Sequence, residues 1–196
     1  MSYLANVPHD ESTFPLFAEI KRAFGFIPNF YRAQTLRTDL IEAEAQWVYA
    51  ALIKPGALSR KEKEYVFLVC SAANLNTYCV TAHCEIVRML KIDGPEPELV
   101  ALDYHAAALP VRIKALLNYA VKLNNTPHLV KEEDVDVLRT YGYSDQEILE
   151  TISMVAVARM ASAIAFGVGA VPDFENPRVV LTDTKPASTT EEDIFA

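Results

Sequence analysis

The chain has 196 residues, about half of them apolar, which is enough to bury a core, and this length favours one domain. Its 18 basic and 26 acidic residues leave a net charge of -8, the wrong sign for a surface that must neutralise phosphates, so a nucleic-acid partner is excluded. The first ten residues carry neither a basic cluster nor an apolar run, so no export signal is read and the cytoplasm is the expected compartment.

Strand signals are scarce and helical periodicity recurs throughout, so the expected class is all-α. Phe14, Phe17, Ile20 and Phe24 predict a helix over 10–24 that ends at Gly25. Over 37–53, Leu40, Ile41, Trp47, Val48, Ala51 and Leu52 are read as one apolar face, with Glu44 on the same stripe as a rim carboxylate. Ser59 and Glu62 have the spacing of a capping box and open a helix over 59–73 that is apolar all round from Tyr65 onward. Asn74-Leu75-Asn76 breaks it, and a second helix over 77–91 folds back to complete an αα-hairpin.

Pro95 and Pro97 start a short segment over 96–107, and Pro110 begins a helix with Ile113, Leu116, Leu117, Ala120 and Leu123 on one face. A short acidic helix follows over 131–141. Ser144 and Glu147 repeat the capping box before a long apolar helix that ends near Gly167. The stretch 148–171 is interrupted by Glu150 and Arg159, which favours a buried helix of a soluble oligomer over a membrane span. From Pro172 the chain turns polar and proline-rich. The expected organisation is one helical domain over 1–175 and an extension over 176–196 that packs as an arm on a neighbouring subunit.

Cys70, Cys79 and Cys84 are an odd number with no export signal, so at least one is a free thiol or an intermolecular partner. Cys79 and His83 are four residues apart on the predicted helix and share a face. Cys79 lies in the first turn, where unpaired amides and the helix dipole are expected to lower its pKa. Glu64, one turn into the preceding antiparallel helix, returns to the level of His83 and can fix its tautomer, leaving His83 to take the thiol proton. Three such residues also have a structural reading as core thiol, satisfied histidine and capping-turn acid. Cys79, His83, Cys84 and Glu64 do not converge on one point as a tetrahedral zinc site requires, so no metal is expected.

The spacing Glu64, eleven residues, position 76, two residues, Cys79, three residues, His83 resembles the alkyl hydroperoxidase D (AhpD) and carboxymuconolactone decarboxylase family. Leu58-Ser59-Arg60, Ser71-Ala72-Ala73-Asn74, Gly25-Phe26-Ile27-Pro28-Asn29 and Ala165-Phe166-Gly167-Val168-Gly169 extend the resemblance to its peroxidase-related subgroup, over residues 10–175. It implies an AhpD-like fold with the active site on a central helix hairpin, Glu64, Cys79 and His83 as catalytic residues, no cofactor, and a homo-oligomer such as a dimer, trimer or hexamer. It also implies a hydroperoxide substrate and an external thiol reductant, in antioxidant defence.

The departure is at position 76. The family's first cysteine, which cycles to a disulfide with the second, is replaced by Asn76. Asn is a good N-cap, and its side-chain oxygen can accept from the amide of residue 79. Cys84 follows Cys79 by five residues and points about 140° away, and Cys70 has the apolar neighbours of an inert buried thiol, so both are weak substitutes for a resolving cysteine. The leading expectation is a one-cysteine peroxidase. Beside it stand a decarboxylase-like lyase using His83 and Glu64 as acid and base, and a member without catalysis.

Overall fold

The computed structural model describes residues 2–5, 7–8, 10–174, 178–179 and 181. Among them are nine α-helices and no strand: α1 (Leu16–Phe24), α2 (Asn29–Arg32), α3 (Thr38–Val48), α4 (Arg60–Ala73), α5 (Thr77–Met89), α6 (Pro97–Asp103), α7 (Val111–Asn125), α8 (Glu132–Thr140) and α9 (Asp145–Val168). The all-α expectation is met.

Local chemistry accounts for several boundaries. Ser59 accepts from the amide of Glu62 while Glu62 reaches back, a complete capping box at α4, and Ser144 with Glu147 does the same at α9, each cap stabilising its helix by about 1 kcal/mol. Helices α1 and α9 end where Gly25 (φ 82°) and Gly169 (φ 62°) take left-handed backbone, which a glycine adopts without steric cost.

The core sits around α4, which packs against α5, α6, α7 and α9. Tyr65, Val66, Leu68 and Cys70 have no exposed surface, as the all-round apolar reading of this helix requires. By length and composition α9 could cross a membrane, but half of its apolar window is buried against the rest of the protein, chiefly on α4 and α7. Beyond residue 175, Val179 is buried in the core and the Leu181 amide donates to Thr77 Oγ1 at 3.0 Å. The arm expected further along, over 182–196, lies outside the described residues.

The reading of 37–53 needs correction. Helix α3 ends at Val48 and a π-helical turn, Tyr49–Ile53, follows. The inward stripe runs through Ile41, Glu44, Ala51 and Leu52, whereas Leu40 and Trp47 are exposed. Leu40 stands one residue, about 100°, to the side of buried Ile41, and Trp47 the same from half-buried Val48, which lines the core, so both turn toward solvent.

Candidate active site

The α4–α5 hairpin brings two of the three predicted site residues into direct contact. Glu64 is fully buried, and its Oε2 lies 2.7 Å from His83 Nδ1. On the other side Arg60, one turn earlier on α4, donates from Nε to Glu64 Oε1 at 2.7 Å, the i,i+4 pairing of a helix face. Burial alone would raise the Glu64 pKa, but the charges of and hydrogen bonds from His83 and Arg60 outweigh it and hold the carboxyl below its usual range. An ionised carboxylate only accepts, so it fixes the His83 proton on Nδ1 and leaves Nε2 as the basic nitrogen. The imidazole stacks on Phe67, ring centroids 3.9 Å apart, which sets its plane.

Between the helices, Leu75 takes φ 57° to close the turn tightly, and Asn76 caps α5 by accepting from the Cys79 amide at 3.0 Å. This is the bond expected from the sequence. The same side chain does more: Asn76 Nδ2 donates to Cys79 Sγ at 3.1 Å and to Ser162 Oγ of α9 at 3.2 Å. The residue at the missing cysteine's position thus holds the remaining sulfur in place.

The expected low pKa of Cys79 is corrected by the structure. The thiol is buried, 5% exposed, and burial pushes it up to about 12, against the Asn76 hydrogen bond that favours the thiolate and with Glu44 adding to the rise. Loss of hydration outweighs the position at the helix start. Cys79 therefore rests as a thiol and needs a base to become a nucleophile.

Cys70, Cys79 and Cys84 are all free. Cys70 has no exposed surface, its Sγ lies 3.7 Å from the Ala120 carbonyl, and burial raises its pKa. Cys84 is buried as well and pushed up to about 12, first by burial and then by Glu98. Among the described residues no cluster of His, Cys, Asp and Glu has the arrangement of a metal site.

Cys79 and His83 open onto one cavity of about 750 Å³, its mouth included, whose wall is almost wholly apolar: Phe26, Phe30, Phe67, Ile86, Met89 and Val157 are among its lining. The segment after α9 helps close it. Tyr78 donates to Asp173 and accepts from the Phe30 amide at 3.0 Å, and Asp173 also accepts from the Asn29 amide at 2.7 Å. These bonds tie α5, α2 and the chain after α9 around one wall.

Sequence reasoning missed two participants and misplaced a third. Arg60 had a signal in its i,i+4 spacing to Glu64. Ser162, far along the chain on α9, had none. Glu44, expected at the rim, is instead buried, 6% exposed, and lines the cavity with Cys79 and His83.

Replacing Asn76 by Ala is expected to cost about 1 kcal/mol through the lost cap and to slow alkylation of Cys79 by iodoacetamide, because the thiolate loses a donor. Urea denaturation and alkylation followed by mass spectrometry read the two effects separately.

No family model matches the sequence, and no curated protein does. Solved structures do. A peroxidase-related protein with an AhpD core from Ralstonia eutropha JMP134 is 29% identical, with a TM-score of 0.81, over 89% of this chain and 93% of its own. A peroxidase-related protein from Silicibacter sp. TM1040 is 25% identical, with a TM-score of 0.78, over 86% of this chain and 88% of its own. The debrominase Bmp8, solved with 2,3,4-tribromopyrrole, shares the fold at 18% identity and a TM-score of 0.73, over 87% of this chain and 93% of its own. Nearly whole-chain agreement with the first two, on a helical hairpin that carries Glu64, Cys79 and His83, shows an AhpD-like fold and is consistent with the AhpD-like family that the sequence resembles.

Proposed function

We propose that the protein is a one-cysteine peroxidase that reduces hydroperoxides at Cys79. The observation that carries the reading is the 2.7 Å contact between Glu64 and His83, with His83 and Cys79 one helical turn apart on the same cavity. His83 Nε2 takes the proton of the resting thiol, and Glu64 stabilises the imidazolium that forms. The thiolate attacks the terminal oxygen of ROOH and the O–O bond breaks; Cys79 becomes a sulfenic acid and RO⁻ leaves as ROH once protonated. One external thiol condenses with the sulfenic acid, releasing water and a mixed disulfide, and a second thiol returns Cys79 to its reduced form. Asn76 supports this route over a dithiol cycle, since it orients sulfur but cannot form a disulfide.

Leu149 and Phe166 on α9 are more than half exposed, which supports a homo-oligomer that covers them. The test of function is sulfenic-acid trapping on the purified protein. Cys79 is expected to be labelled by dimedone after hydroperoxide treatment, and Cys79→Ser to abolish thiol-dependent peroxide consumption. An unlabelled Cys79 at millimolar peroxide defeats the proposal. Turnover of an enol acid or lactone that survives Cys79→Ser would point instead to acid–base chemistry by His83 and Glu64.

A further inference from the structure

Glu44 has no place in the steps above, yet its position in the cavity is hard to explain as packing. It comes from α3, outside the hairpin, and both of its carboxyl oxygens are buried without a hydrogen bond. A buried charge is tolerated when paired and hydrogen-bonded. Among the described residues the other titratable side chains lining the same cavity are Tyr31 from α2, Tyr78, Cys79 and His83 from α5, and Asp173 after α9. None but His83 can offer a positive charge, and His83 is already engaged by Glu64. Among the described residues no Lys or Arg lines the wall. Burial accordingly pushes the Glu44 carboxyl up to about 7, against a weak pull from the Gln34 amide, which favours the charged form but has its hydrogen bond with the Phe30 carbonyl at 3.2 Å. Below that pH Glu44 is a neutral acid, whose O–H is a donor without an acceptor. A buried donor left unsatisfied costs stability unless a ligand completes it.

We infer that Glu44 is a second catalytic acid, which donates a hydrogen bond to, and then protonates, the leaving oxygen of an apolar organic hydroperoxide held in the cavity. The inference rests on the peroxidase reading of Cys79. The proton count closes: the Cys79 thiol gives its proton to His83, the thiolate takes OH from ROOH, and RO⁻ takes the Glu44 proton to leave as ROH. The Glu44 carboxylate and the His83 imidazolium then return to their starting forms by exchanging one proton through solvent. The wall sets the substrate class. Phe26, Phe30, Ile86 and Met89 offer an alkyl or aryl group apolar surface that hydrogen peroxide cannot use.

The acid also works against the nucleophile when it ionises, since a charge at Glu44 raises the Cys79 pKa further. Both effects make the hydroperoxide reaction fall as pH rises through about 7. An acid poised near the working pH is the efficient choice for proton donation.

The experiment compares the full-length protein with Glu44→Gln, which keeps the shape of the side chain but has no acidic proton. Oxidation of Cys79 by cumene hydroperoxide and by hydrogen peroxide, and its alkylation by iodoacetamide, are measured from pH 5.5 to 8.5. Alkylation expels iodide, which needs no proton, so it reports thiolate formation and access alone. For the unsubstituted protein, the ratio of the cumene hydroperoxide rate to the alkylation rate is expected to fall above pH 7, and cumene hydroperoxide to react faster than hydrogen peroxide. In Glu44→Gln the ratio is expected to be about 10²-fold lower at pH 6 and flat with pH. An unchanged ratio in Glu44→Gln, or equal losses in oxidation and alkylation, overturns the inference while leaving the role of Cys79 intact. Absence of any Cys79 oxidation in the unsubstituted protein overturns the peroxidase reading and this inference with it.

Discussion

Glu64→Ala is expected to lose about 1–3 kcal/mol of stability, the cost of leaving the His83 and Arg60 donors without their acceptor, and to slow Cys79 oxidation by about 10²-fold or more. The carboxylate has no exposed surface and joins Arg60 to His83 through its two oxygens. Its removal leaves the guanidinium unpaired on that side and an imidazole without its orienting partner. Glu64→Gln separates the two consequences. The amide fills the same volume and one of its atoms can still accept, so most of the stability should remain while the imidazolium loses its charge partner. The pH signature is also distinct. The folded-state pKa of Glu64 lies below its ordinary value of 4.5, so its contribution is full above about 4.5 and lost as pH falls through the folded value. Glu64→Gln should lack that acid-side loss. Urea titrations from pH 3 to 7, paired with rates of sulfenic-acid formation, test both statements; an alanine variant within 1 kcal/mol of the parent protein would contradict the first.

The sequence makes the helices legible because their ends are chemically marked. Ser59 with Glu62, Ser144 with Glu147, and Gly25 announce themselves through spacing alone, since a cap is local. The contact between Glu64 and His83 is legible for a related reason: two helices joined by a short turn leave few registers. The cap from Asn76 to the Cys79 amide is equally local and follows from the residue type. What escaped are properties of the assembled interior. Whether Glu44 lies at a rim or inside depends on where α3 sits around the cavity that it shares with α5. The bond from Asn76 to Ser162 spans 86 positions, and nothing near either residue marks it. The place of Cys79 at a helix start lowers its pKa by a local effect worth up to about 2 kcal/mol, whereas burial, invisible in the spacing, acts in the opposite direction and is larger.

Glu44 is expected to make the protein less stable as pH rises from about 4.5 to 7, by about 3 kcal/mol in all. The sign follows from its pKa, which is raised from 4.5 to about 7 on folding. Between those values the unfolded chain releases the proton while the folded protein keeps it, so the group's contribution is fully present below about 4.5 and lost as pH rises through about 7. A shift of that size, at about 1.4 kcal/mol per unit, gives the magnitude. The window lies apart from that of Glu64, which acts below about 4.5, and from that of the buried thiols, which titrate in the unfolded chain only above about 8. Glu44→Gln removes the titrating group and keeps the volume, so its unfolding midpoint in urea should be nearly level from pH 5 to 8 and should exceed that of the unsubstituted protein at pH 8. Parallel curves for the two proteins would show that Glu44 keeps its charge when folded, and would remove the basis for its acidic role. A gain in stability at pH 8 together with slower hydroperoxide reduction at pH 6 would mean that the buried acid is retained at a cost to folding because the reaction needs its proton.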